Sequence, residues 1–134
     1  MKIVRLIARL LMGLEFTVFG LNGFLHFIPM KLPDGVAGQF LGAMFESKYV
    51  YAVVVLELVG GVLLLVNRYV PLALTLLGPV IVNILLFHIL MEPQGLPIAI
   101  ITAVLWFLVY WGVRSAFAGI FVQRVPTSSS PSGI

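Results

Sequence analysis

Long apolar runs dominate the chain. They occupy residues 6–28, 49–66, 71–90 and 97–113, separated by short polar or helix-breaking segments. A bilayer core about 30 Å thick takes about 20 helical residues, so each run has the length of a membrane-crossing helix or comes close to it. Pro29, Pro33, Asp34 and Gly35 break the first run. Asn67 and Arg68 stop the second, and Pro71 opens the third as a favourable first-turn residue. Residues 91–95 separate the third from a fourth that begins near Pro97. Between the first two runs, residues 36–45 form a short, weakly amphipathic stretch that predicts an interfacial or re-entrant helix. The connections after the second and third runs are short enough to force antiparallel hairpins. The pattern therefore predicts an all-α fold, a four-transmembrane-helix bundle running up-down-up-down. Residues 1–124 read as a single membrane domain, and the Ser/Pro-rich residues 125–134 as a disordered tail.

Composition removes the soluble alternatives. Of 134 residues, 61% are hydrophobic and 10% charged, where soluble domains carry about 25% charged residues. The net charge of +3 does not suggest nucleic acid, because the basic residues gather at the ends of the apolar runs. Lys2, Arg5, Arg9, Arg68, Arg114 and Arg124 fall toward one side; Lys31 and Lys48 fall on the other, offset by Asp34, Glu46 and Glu92. The positive-inside rule then places both termini in the cytoplasm of a multi-pass cell-membrane protein, as in a bacterial inner membrane. Tyr49 and Tyr51 are expected at the outer interface and Trp111 at the inner one. The apolar stretch after Lys2, Arg5 and Arg9 is too long for a signal-peptide core and lacks a small-x-small exit. The absence of cysteine excludes disulfides, thiolate metal sites and CxxC redox chemistry within this chain. No HExxH, GxSxG or phosphate-cradling glycine loop is present.

Against this background a few polar residues stand out. An ionisable group at mid-bilayer costs at least ~2.5–3.5 kcal/mol and normally faces a bundle interior. Glu15, Asn22 and His26 share one face of the first helix to within about 40°. Glu57 lies in the second run, and Asn83 and His88 lie in the third. Counting rise per residue puts Asn22, Glu57 and Asn83 at similar depth, with His26 and His88 above and Glu15 below. The expectation is a polar pocket open to the outer side. Two readings compete at each position. Asn22 and Asn83 could join helices by hydrogen bonds worth ~0.6–2 kcal/mol, Glu15 could pair with Arg9, and the histidines could be interfacial. Alternatively, the group is a proton relay or a quinone headgroup site. Bis-histidine haem ligation is the weakest option, and no metal site is expected. Gly60 and Gly61, one turn from Glu57, allow a neighbouring backbone to approach. Arg9, Gly13, Phe16 and Gly20 form a second stripe on the first helix, about 140° from the polar one, so this helix is expected to pack on two sides. Pro79 is expected to kink the third helix on the face that carries Asn83. The fourth has no ionisable residue but Tyr110 and reads as a packing or lipid-facing helix, with Trp106 in the core.

Three segments resemble DoxX-like membrane proteins. Arg9, Gly13, Phe16 and Gly20 stand at the spacings of that family's opening helix. Glu57, Gly60 and Gly61 resemble the Glu-x-x-Gly-Gly pattern of its second helix, and the stretch from Asn83 through His88 to Pro93 is similar to a segment of small members. The resemblance covers about residues 3–120. It implies a four-helix membrane fold. Family members include the small membrane subunit of an archaeal thiosulfate:quinone oxidoreductase, and others associate with redox or stress-defence complexes. One departure matters: Asn22-Gly23 follow Gly20-Leu21 where many relatives carry a lysine, so a cation partner for the carboxylates is missing there. The resulting expectation is an accessory membrane subunit of a quinone-linked redox complex, not catalytic alone. Glu57, Asn83, His88, Asn22, His26 and Glu15 would line its quinone or proton-handling pocket. The alternative is a non-enzymatic scaffold or assembly factor. It would hold partner helices through the glycine stripe and the kinked third helix. A small transporter is a third reading and would require a homo-oligomer.

Overall fold

The computed structural model describes residues 1–127. Residues 125–127 have no regular secondary structure, and the rest of the tail expected to be disordered lies outside the described residues. Five α-helices and no strand are present among them: α1 Lys2–Leu25, α2 Gly35–Glu46, α3 Val50–Leu65, α4 Val70–Leu90 and α5 Leu96–Val113. Short 3-10 turns at Pro93–Gly95 and Arg114–Phe117 flank α5.

The ends of the helices have local causes. α1 stops at Leu25, short of the expected 28, and not at the prolines. His26 takes a left-handed conformation (φ 52°) and donates its backbone N–H to the Asn22 carbonyl. The Asn22 side-chain oxygen then accepts the Ile28 N–H at 2.7 Å, which turns the chain out of the helix. Between α3 and α4, Asn67 and Tyr69 both adopt positive φ, and Pro71 sits in the first turn of α4, where its missing N–H has no carbonyl to meet.

α1, α3, α4 and α5 close a ring in which α1 packs on α3 and α5, and α4 packs on the same two. The pairings run antiparallel. Along α1, Gly13 lies against Leu65 and Gly61, Gly20 against Leu58, and Gly23 against Val54. Arg5 lies on Gly112 of α5, whereas Glu15 meets Thr102. On α4, Gly78 is near Trp106 of α5, and His88 is near Gly95. α2 lies off this ring at 86° to α3 and touches α4 through the Phe40 and Phe87 rings, 5.7 Å apart. The core inside the ring is built from Ala8, Met12, Phe16, Leu64, Ala73, Leu74, Leu77 and Val109, among others.

Large apolar side chains also cover the outside. Leu14, Phe19, Val55, Val59, Leu72, Val82, Ile101 and Phe107 are all exposed, far beyond the patches a water-soluble monomer presents. Two helical segments, Val70–Leu90 and Pro93–Phe117, are long and apolar enough to cross a membrane, and α2 with α3 make a third if the bent pair counts as one span. α1 has comparable length and carries Lys2, Arg5, Arg9 and Glu15.

The tightest contact is the one between α1 and α3. A Cβ on Gly61 would stand 2.6 Å from the Thr17 backbone nitrogen, and one on Gly60 would stand 2.6 Å from Leu77 of α4. Backbone cannot rotate away as a side chain can, so Gly61→Ala is expected to cost about 1–3 kcal/mol. Gly119→Ala, with nothing within 4 Å, should stay within about 0.5 kcal/mol of wild type. Unfolding titrations in mixed detergent micelles check both.

Candidate functional site

Three polar side chains on three helices form the candidate site. Glu15 comes from α1, Glu57 from α3 and Thr102 from α5. Thr102 is 3% exposed. Its hydroxyl lies 2.6 Å from Glu15 Oε1 and 3.0 Å from the Ile98 carbonyl of its own helix. A hydroxyl has one proton and two lone pairs. It can therefore donate to a Glu15 carboxylate, or donate to Ile98 and accept from a Glu15 carboxylic acid. Glu57 is half-buried and within Coulombic range of Glu15. It makes no side-chain hydrogen bond among the described residues. Neither carboxyl group has a Lys or Arg partner among them.

The Arg9–Glu15 pair considered from the sequence does not form. The Arg9 guanidinium instead donates to the Leu64 carbonyl and, at 3.4 Å, to the Leu65 carbonyl. These belong to the last turn of α3, whose carbonyls have no partner within the helix.

The other four residues expected in the pocket serve elsewhere. Asn22 is 4% exposed, but its carboxamide is engaged by its own chain, with the oxygen on Ile28 N–H and the nitrogen 3.5 Å from Met30 Sδ. His26 is exposed at the end of α1. Asn83 is exposed on α4 and donates to the Pro79 carbonyl at 2.9 Å, so it does not join Glu57. His88 sits in the last turn of α4, with Nδ1 2.9 Å from the Glu92 carbonyl and its ring against Gly95 of the connection to α5. The structure thus joins Glu15 to Thr102, which sequence reasoning missed, and leaves Glu57 half-buried on α3 without a side-chain hydrogen bond among the described residues. The available signal was a lone threonine in an otherwise apolar helix.

One turn beyond Thr102, Trp106 donates its indole N–H to the Leu74 carbonyl at 3.0 Å and stacks on Tyr110, ring centroids 5.4 Å apart. With Gly78, Pro79, Phe117 and Phe121 these rings line an apolar cleft of about 430 Å³ between α4 and α5. Thr17 has a buried hydroxyl with no hydrogen-bond partner, beside Gly61.

Comparison with known families gives one match. The family model DoxX matches residues 4–89, and the chain belongs to the DoxX family. Membership and the apolar helices together mark a membrane protein. The match takes in α1 to α4 and ends before α5, so Thr102 lies beyond it. No curated protein and no solved structure matches the chain.

Thr102→Val removes the hydroxyl and keeps the shape. It is expected to destabilise the folded chain by about 0.6–2 kcal/mol, with Thr102→Ser close to wild type. Detergent unfolding of both variants measures the difference.

Proposed function

We propose that the chain is the membrane subunit of a quinone-linked redox complex and that Glu15, Thr102 and Glu57 handle its protons. In this reading α1, α3, α4 and α5 are four spans of an up-down-up-down bundle in the cell membrane, with both termini cytoplasmic. The basic residues support that orientation. Lys2, Arg5 and Arg9 on α1 lie at the same end as Asn67-Arg68 and the end of α5, which the positive-inside rule assigns to the cytoplasm.

The observation that carries the proposal is the Thr102 hydroxyl between Glu15 and the Ile98 carbonyl. Glu15 keeps a hydrogen bond whether or not it carries a proton, so a proton can arrive and leave without stranding a polar group. Glu57 alongside offers a second carboxyl. Reduction of a quinone consumes protons, and a positioned carboxyl that supplies them typically contributes 10²–10⁴-fold to rate. Trp106, one turn along α5 from Thr102, lines the aromatic cleft, whose volume falls in the range of small-molecule sites. Electrons would come from a partner protein, since this chain has no residue set that carries them.

The test uses the complex purified with its partner enzyme. Glu15→Gln and Glu57→Gln should each lower quinone-dependent turnover by about 10²-fold, with assembly unchanged and Thr102→Ser active. Wild-type turnover in both variants, with no quinone extractable from the purified protein, would sink the proposal.

The scaffold reading has one observation in its favour. Asn83 lies with Thr75 and Pro79 on the exposed side of α4, and a carboxamide facing lipid is suited to a partner helix or a second copy of the chain. Gly13, Gly20, Gly60 and Gly61 are not available for that role, because their neighbours belong to this chain. If the scaffold reading holds, Asn83→Leu should release the partner or the second copy while both glutamate variants retain it, as read by copurification in mild detergent.

A further inference from the structure

At the far end of the ring from α2, a second cleft of about 360 Å³ opens between the start of α1, the start of α4 and the end of α5. Lys2, Arg5 and Arg9 line one side of it, and Val70, Val109 and Val113 form part of its apolar wall. Gly112 makes the space: the Arg5 side chain lies across it, where a Cβ would stand 2.9 Å from Arg5 Cδ. Arg9 commits one guanidinium nitrogen to the α3 carbonyls, and Arg5 bonds the Met1 carbonyl through Nε at 3.4 Å. Both arginines keep further N–H donors for a ligand.

No acid answers these cations. The five Asp and Glu residues of the chain are Glu15, Asp34, Glu46, Glu57 and Glu92, and none lines the cleft. Three cations around one cavity repel one another, and among the described residues no carboxylate offsets them. The same end carries the marks of a membrane interface. Trp111 is exposed with the Arg114 guanidinium 4.3 Å over its ring, an arrangement suited to the headgroup level.

We propose that this cleft binds the headgroup phosphate of one anionic phospholipid. Lys2, Arg5 and Arg9 hold the phosphate oxygens, and the glycerol and the first acyl carbons lie along Val70, Val109 and Val113. Basic pockets between membrane helices on the cytoplasmic side have the chemistry for such headgroups. The inference rests on the cleft and on the membrane orientation proposed above, and does not depend on the proton-handling role of Glu15 and Glu57.

The experiment is native mass spectrometry of the full chain released from nanodiscs of equimolar phosphatidylglycerol and phosphatidylcholine. Wild type is expected to retain one phosphatidylglycerol. The double variant Lys2→Gln/Arg5→Gln should lower retention roughly 30-fold, two interfacial charges at about 1 kcal/mol each. Val113→Trp, which fills the cleft and leaves every charge in place, should lower it as well. Arg68→Gln/Arg124→Gln makes the same change in net charge outside the cleft and should leave retention near wild type. An equal loss in this control would show diffuse attraction to an anionic surface and overturn the site. Equal retention of the two lipids would overturn it too. Displacement of the lipid by millimolar inorganic phosphate would reassign the cleft to the free anion. The unfolding midpoint of each variant in phosphatidylcholine alone separates lost binding from lost fold.

Discussion

The backbones of α1 and α3 touch, and the remaining architecture depends on that contact. Gly61 stands against the Thr17 backbone, and Gly20 against that of Leu58. No other helix pair in the chain makes so extensive a contact. At one end of the pair, Arg9 closes the last turn of α3 by taking the Leu64 and Leu65 carbonyls. The Leu64 carbonyl also accepts the Asn67 N–H at 3.3 Å, so the Leu65 carbonyl is the one that a side chain of another helix supplies with a donor. On another side of α1, α5 supplies Thr102 to Glu15.

Most of the polar side chains serve the chain's own backbone. Thr75 donates to Pro71 and Asn83 to Pro79, both one turn back along α4. Asn22 holds the exit from α1, and His88 holds the turn into α5. Among the described residues, only Arg9, Trp106 and the Glu15–Thr102 pair carry a hydrogen bond from one helix of the ring to another. That division separates groups that make each helix viable in an apolar medium from the few that fix how the helices sit together.

Much of the helical layout was legible in the sequence. Runs at 71–90 and 97–113 differ by one residue from the start of α4 and α5, because prolines and a polar break mark those edges. The family was legible too, since glycines at fixed spacing beside an arginine and a glutamate are rare in an apolar background. The end of α1 was not, because its cause is a side-chain bond from Asn22 to an amide six residues on. The site was legible in part for a related reason. Rise per residue fixes the depth of a side chain, but not the rotation of its helix. α4 is apolar on every side, so nothing in its periodicity said that Asn83 would face outward. Thr102 escaped notice because a threonine that can bond the carbonyl one turn back is tolerated almost anywhere in an apolar helix.

The distance in sequence between Glu15 and its partner bears on how the protein is made. Thr102 lies 87 residues downstream of Glu15. At a synthesis rate of about 5–20 residues per second, α1 waits roughly 4–17 s before the helix that carries its hydrogen-bond donor exists. Arg9 waits for α3 in the same way, 55 residues on. Of the four ionisable side chains on α1, Arg9 and Glu15 lack until then the partners they have in the folded chain. The hydrogen bonding of the first helix is therefore complete only once the helix that follows α4 has been made.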